Sequence, residues 1–179
     1  MSFTNILVEK EKEIIDQCNK LTGKKIKTLL FRGSKDGFTS KDFHSKCDGH
    51  SNTIVIVKIK NGNIIGGYTS VEWESSSPFK YSSDDKSFLF SLTKNKIYKI
   101  KEGEERHAII MDSNCGPIFH DSLLICDNCN VNEESYSNLG TELSIHEING
   151  EKFGTFVGYE LSNDYTNFII DDYEVYEVE

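Results

Sequence analysis

No apolar run in the chain is longer than a few residues, far short of the stretch needed to cross a bilayer. The first residues, "MSFTNILVEKEKEIIDQC", lack a basic start followed by an apolar segment, so no secretory signal is expected. An Asn-x-Ser/Thr acceptor is missing throughout. Cysteine does not come in even number: the five are Cys18, Cys47, Cys115, Cys126 and Cys129, and without a signal they read as reduced thiols. Positive charge is also short, with 20 Lys and Arg against 29 Asp and Glu, a net charge of -9. Such a surface repels phosphate backbones and anionic lipid, which argues against nucleic acid and direct membrane insertion and leaves basic protein patches as partners. A cytoplasmic domain is expected.

What is present is one helix and many short strands. At 179 residues the chain suits a single domain with its own core. Residues 4–21 place Leu7, Ile14, Cys18 and Leu21 near one helical face, with Thr4 as a cap and Gly23 as a stop. After this lead-in, residues 1–25, the rest of the chain (26–179) reads as one globular unit. Strands are expected at 26–32, 53–59, 63–70, 86–92, 107–111, 121–126, 142–148, 152–160 and 172–178. The stretch 53–59 is apolar on both faces, the mark of a central strand. Asn61-Gly62 follows, and it predicts a tight hairpin turn with two left-handed residues. Polar runs at 74–85, 127–140 and 161–164 read as surface loops. The fold class is α+β, mainly β: an antiparallel sandwich of two sheets flanked by a few short helices.

The stretch "LLFRGSKDGFTSKDFHSKCDG" (29–49) concentrates candidate chemistry. Gly33 and Gly37 lack the spacing and the lysine of a phosphate loop. His44 and Cys47, three apart on a short helix, could touch, and a protonated His44 would favour the Cys47 thiolate. Phe43 and Cys47, four apart, equally suit core packing. Cys126-x-x-Cys129, with Cys115 and His120 nearby, has zinc-knuckle spacing but no second pair, and Asp127-Asn128 suits a turn. No metal and no cofactor is expected. The simplest reading of the stretch is a strand–turn–helix corner. Gly33, Ser34 and Gly37 turn the chain, and Asp36 or Asp48 holds the Arg32 guanidinium. Asp171, Asp172, Glu174 and Glu177 read as the wet face of a final strand. Trp73 reads as a core or interface anchor.

The run "LLFRGSKDGF...FHSKCDG", followed by "TIVIVKIKNGNIIGGYTSVEW", "KYSSDDKSFLFSL", "CGPIF", "LLICDNCN", "SYSNLG" and "FIIDDYEVYEV", closely resembles the TLDc domain of eukaryotic oxidation-resistance proteins. The family usually has glycine after the phenylalanine of "GP-x-F", where this chain has His120. The stretch "GYELSNDYTN" also departs from the family. The resemblance implies a two-sheet sandwich with no well-established enzyme activity. It also implies a role in oxidative-stress defence and binding to the peripheral part of the vacuolar proton-pumping ATPase, with its peripheral-stalk subunits as candidate partners. A double glycine in the second strand of the hairpin matters for that binding in some members, and Gly66 and Gly67 occupy the matching positions. With the corner residues Arg32, Asp36 and Asp48, they are the partner-binding candidates. Two alternatives stand beside this reading: a thiol-based antioxidant enzyme or scavenger using Cys47 and His44 (or Cys126 and Cys129), and a scaffold with no pump contact.

Overall fold

The protein is described here from a computed structural model, which places residues 11–137, 146–147 and 167–179. A helix, α1 (Glu11–Thr22), precedes β1 (Ile26–Arg32), two short helical segments, α2 (Gly33–Asp36) and α3 (Ser40–Cys47), and then a series of strands. These are β2 (Thr53–Ile59), β3 (Ile64–Thr69), β4 (Lys80–Ser82), β5 (Phe88–Ser91), β6 (Lys96–Ile100), β7 (Ile109–Met111), β8 (Ile118–Phe119), β9 (Leu123–Leu124), β10 (Ser135–Ser137), β11 (His146–Glu147), β12 (Asn167–Phe168) and β13 (Ile170–Val178). Among the described residues they form two antiparallel sheets. One has seven strands in the order β1-β13-β2-β3-β5-β6-β11, the other six in the order β12-β10-β9-β8-β7-β4.

Apolar patterning explains the layering. Val55, Val57 and Ile59 of β2 join Phe31, Leu89, Phe119, Leu123 and Val175 in the core between the sheets. Ile54 and Ile56, on the opposite face of the same strand, pack with Ile14 and Cys18 of α1. β2 is therefore covered on both sides, as a run of β-branched residues without polar alternation requires. The lead-in helix is expected over 4–21. Its start, with Thr4, lies outside the described residues, and its end is the expected one: Gly23 has φ +69° and donates its N–H to the Asn19 carbonyl at 3.0 Å.

Several expectations are corrected. The hairpin at Asn61-Gly62 exists, but only Gly62 is left-handed, at φ +93°. The Gly62 N–H bonds the Ile59 carbonyl and the Ile59 N–H bonds the Asn63 carbonyl, so the loop holds three residues and needs one positive φ where a two-residue turn needs two. β4 and β10 lie inside runs read as loops. They are short and polar, and Ser135 and Ser137 point inward with no exposed surface. β6, β8 and β12 also escape the sequence reading, because two to five residues are too few to show a period. The stretch 152–160 lies outside the described residues.

Gly67 faces the Phe119 ring of the opposing sheet. A Cβ there would fall 2.5–2.7 Å from that ring. Gly67→Ala is expected to destabilise the protein by roughly 1–3 kcal/mol through overpacking. Phe119→Leu in the same chain should recover part of that loss. A double-mutant cycle from urea unfolding checks it: additive losses would show that the ring and the glycine do not constrain each other.

Candidate functional site

β1 ends at Arg32, and the chain reverses through α2. The reversal needs Gly37, at φ +116°, whose N–H closes on the Gly33 carbonyl at 2.9 Å. A Cβ at Gly37 would collide with the Asp42 carboxylate, which is occupied as a cap. Thr39 and Asp42 cap α3 reciprocally: the Thr39 N–H donates to Asp42 Oδ2 at 3.1 Å and the Asp42 N–H donates to Thr39 Oγ1 at 3.2 Å. The Asp42 carboxyl is held below its ordinary value, first by the Thr39 hydroxyl, which donates to Oδ2 at 2.6 Å, and then by the Thr39 N–H.

The charges of this corner are arranged differently from the expectation. The Arg32 guanidinium donates to Glu174, its cross-strand neighbour on β13. Asp36 and Asp48 serve elsewhere: Asp36 accepts the Arg32 backbone N–H at 2.9 Å. Asp48 accepts from His44 Nδ1 at 2.7 Å and from the Ser75 N–H and hydroxyl at 2.9 and 2.8 Å, which ties α3 to the segment after β3. The final strand likewise departs from the wet-face reading. Asp171 is exposed and Glu177 half-buried, but Asp172 and Glu174 are buried at 3% and 0% exposure, because β13 runs between β1 and β2. Asp172 accepts the Ser34 N–H at 2.9 Å, the Ser34 hydroxyl at 2.6 Å and the Tyr173 N–H at 2.9 Å. Glu174 accepts the Tyr176 hydroxyl at 2.9 Å.

The thiol site is not assembled. Cys47 is fully buried, and its pKa is raised, first by burial and then by Asp48 and Asp36. His44 turns away from it: Nδ1 meets Asp48, and Nε2 meets the carbonyls of Asp112 and Cys115 at 2.9 and 3.0 Å. A nucleophilic thiol needs its pKa lowered. Burial instead raises all five, Cys18 to about 12 and Cys115 to about 11. The Cys126 thiol donates to Asn132 Oδ1 and receives the Ser135 hydroxyl. Asn128 supplies a left-handed turn between Cys126 and Cys129, and among the described residues no three His, Cys, Asp or Glu side chains converge as metal ligands.

The sequence model of the TLDc domain matches residues 2–179. The chain belongs to the TLDc family. No curated protein matches it. In this TLDc domain the double glycine lies in β3, between β2 and β5, with unbroken register across Val55, Ile56, Leu89 and Phe90. Both glycines are buried, under rings on opposite faces. Phe119 covers Gly67, and Phe90 lies 2.5 Å from where a Cβ at Gly66 would stand, a position that would also strike the Val55 carbonyl oxygen. The strand runs through both glycines without a register shift. Trp73 is a core residue, 2% exposed, and its indole N–H donates to Thr53 Oγ1 at 2.8 Å. Sequence reading missed Asp84, a buried carboxylate that binds the Thr69 and Ser70 hydroxyls and the Ser70 N–H, each at 2.7 Å. The hydroxyl pair closing β3, ahead of "DD", is the only signal that could have marked it.

Burial pushes the Glu174 carboxyl up to about 7 from an ordinary 4.5, against the pull of Tyr176 and Arg32. The folded protein therefore holds this proton to higher pH than the unfolded chain does. The corresponding stabilisation is present in full below about pH 4.5 and is lost as pH rises to about 7. At about 1.4 kcal/mol per unit it amounts to at most roughly 3 kcal/mol. Glu174→Gln should flatten the fall in stability over that window relative to the parent, measured by urea unfolding at a series of pH values. An unchanged slope would show that Glu174 titrates as it does in the unfolded chain.

Proposed function

We propose that this TLDc domain is a protein-interaction module of oxidative-stress defence, acting in the cytoplasm by binding and regulating the peripheral part of the vacuolar proton-pumping ATPase. The observation that carries the reading is the family match over essentially the whole chain. The domain of that family is generally a non-catalytic interaction module. The buried thiols support the same reading. Their pKa values move away from the range of a peroxide-reactive cysteine, which speaks against the thiol-enzyme alternative. Among the described residues no helix is long and apolar enough to cross a membrane.

In this reading the net charge of -9 speeds and selects encounter with basic patches on a pump subunit. The corner around Arg32, Asp36 and Asp48 is a rigid support for docking surfaces. Gly66 and Gly67 act through the close-packed sheet that they permit.

Affinity capture from a eukaryotic lysate at low salt, followed by mass spectrometry, should recover peripheral-stalk subunits of the pump. Recovery should fall as salt is raised, because exposed charge pairs are screened. A folded domain that captures no pump subunit at low salt would overturn the reading.

A further inference from the structure

Two of the largest exposed apolar side chains stand together. Phe79 is 54% and Tyr81 46% exposed, in and just before β4, the terminal strand of the six-stranded sheet among the described residues. Single exposed aromatics are ordinary, but these belong to a connected group of rings. Phe79 meets Tyr81 edge-on with centroids 5.8 Å apart. Tyr81 meets His107 at 4.8 Å and His120 at 5.6 Å, and the two imidazoles stack 5.8 Å apart. Three separate segments thus contribute to one face.

The backbone at His120 is in the left-handed region, φ +46°, where a histidine costs about 1 kcal/mol relative to glycine. A strained residue whose ring completes a surface cluster points to use of that ring. Carboxylates border the rings. Asp121 Oδ1 lies 2.6 Å from His120 Nδ1, Glu104 Oε2 lies 3.4 Å from His107 Nδ1, and Glu74 holds the neighbouring Lys80 at 2.5 Å. Arg106, next to His107 in sequence, is exposed as well.

Rings alone could stack nucleobases or meet lipid. The acidic border and the net charge of -9 disfavour phosphate in either form. What suits π faces edged by carboxylates is guanidinium, which lies flat over a ring while its N–H fork reaches an oxygen. An edge strand is also where an added extended chain can lie. We propose that the Phe79–Tyr81–His107–His120 face docks an extended, arginine-bearing segment of a partner protein. This surface does not require the pump to be that partner.

The test is fluorescence anisotropy of the full chain with a labelled synthetic peptide alternating arginine and valine. A peptide alternating glutamate and valine serves as control. Saturable binding of the arginine peptide alone is expected. Phe79→Ala with Tyr81→Ala should weaken it by roughly tenfold. His120→Gly removes the ring at a position whose backbone favours glycine, so it should weaken binding several-fold while leaving thermal stability unchanged or raised. The proposal is overturned if the arginine peptide does not bind, if the variants bind it as well as the parent, or if the glutamate peptide competes equally. Preferential binding of a single-stranded oligonucleotide or of anionic vesicles, or concealment of the face by self-association, would equally overturn it.

Discussion

The last strand carries the weight of this fold. β13 runs between β1 and β2, and in doing so takes Asp172 and Glu174 out of water. An ionised carboxylate without partners would make that position untenable. Each is answered from the corner at the end of β1: Glu174 by the Arg32 guanidinium, Asp172 by the Ser34 hydroxyl and N–H. A chain end and an early turn are thereby locked together across most of the sequence. The corner is shaped by β13 as much as by its own glycines.

From that lock follows the arrangement of the two cores. With β13 and β2 side by side, the seven-stranded sheet has no wet face at its centre. One side meets the second sheet and the other meets α1. The glycine pair of β3 belongs to this packing. Gly66 and Gly67 make room for a ring on each face, and the sheet can keep continuous register beneath them. The proposed docking face lies instead at the margin, where β4 ends the second sheet among the described residues and the Phe79 and Tyr81 rings remain in solvent.

Burial also limits the chemistry open to the thiols. A thiol that reacts with oxidants needs access and a stabilised anion. Here Cys18, Cys47, Cys126 and Cys129 fill core positions, Cys115 is half-buried, and His44 is committed to Asp48 and two carbonyls. The role proposed for the domain in oxidative-stress defence therefore draws on association with other proteins, for which a family of generally non-catalytic interaction modules is suited.

By itself the sequence determined the layered, mainly β architecture, the central place of β2, the stop of α1 at Gly23 and the family. These are encoded locally, in apolar period, in glycine positions and in the joint spacing of motifs. Only the tertiary structure decided which carboxylate meets Arg32, because alternation along β13 reports two faces and cannot say that both are covered. It also decided that the glycine pair lies under rings, since a strand glycine reads alike whether a partner or a phenylalanine approaches it. The rings of Phe79, Tyr81, His107 and His120 are up to 41 residues apart in the chain. Contacts of that kind carry no periodic trace, and only the folded sheet brings them together.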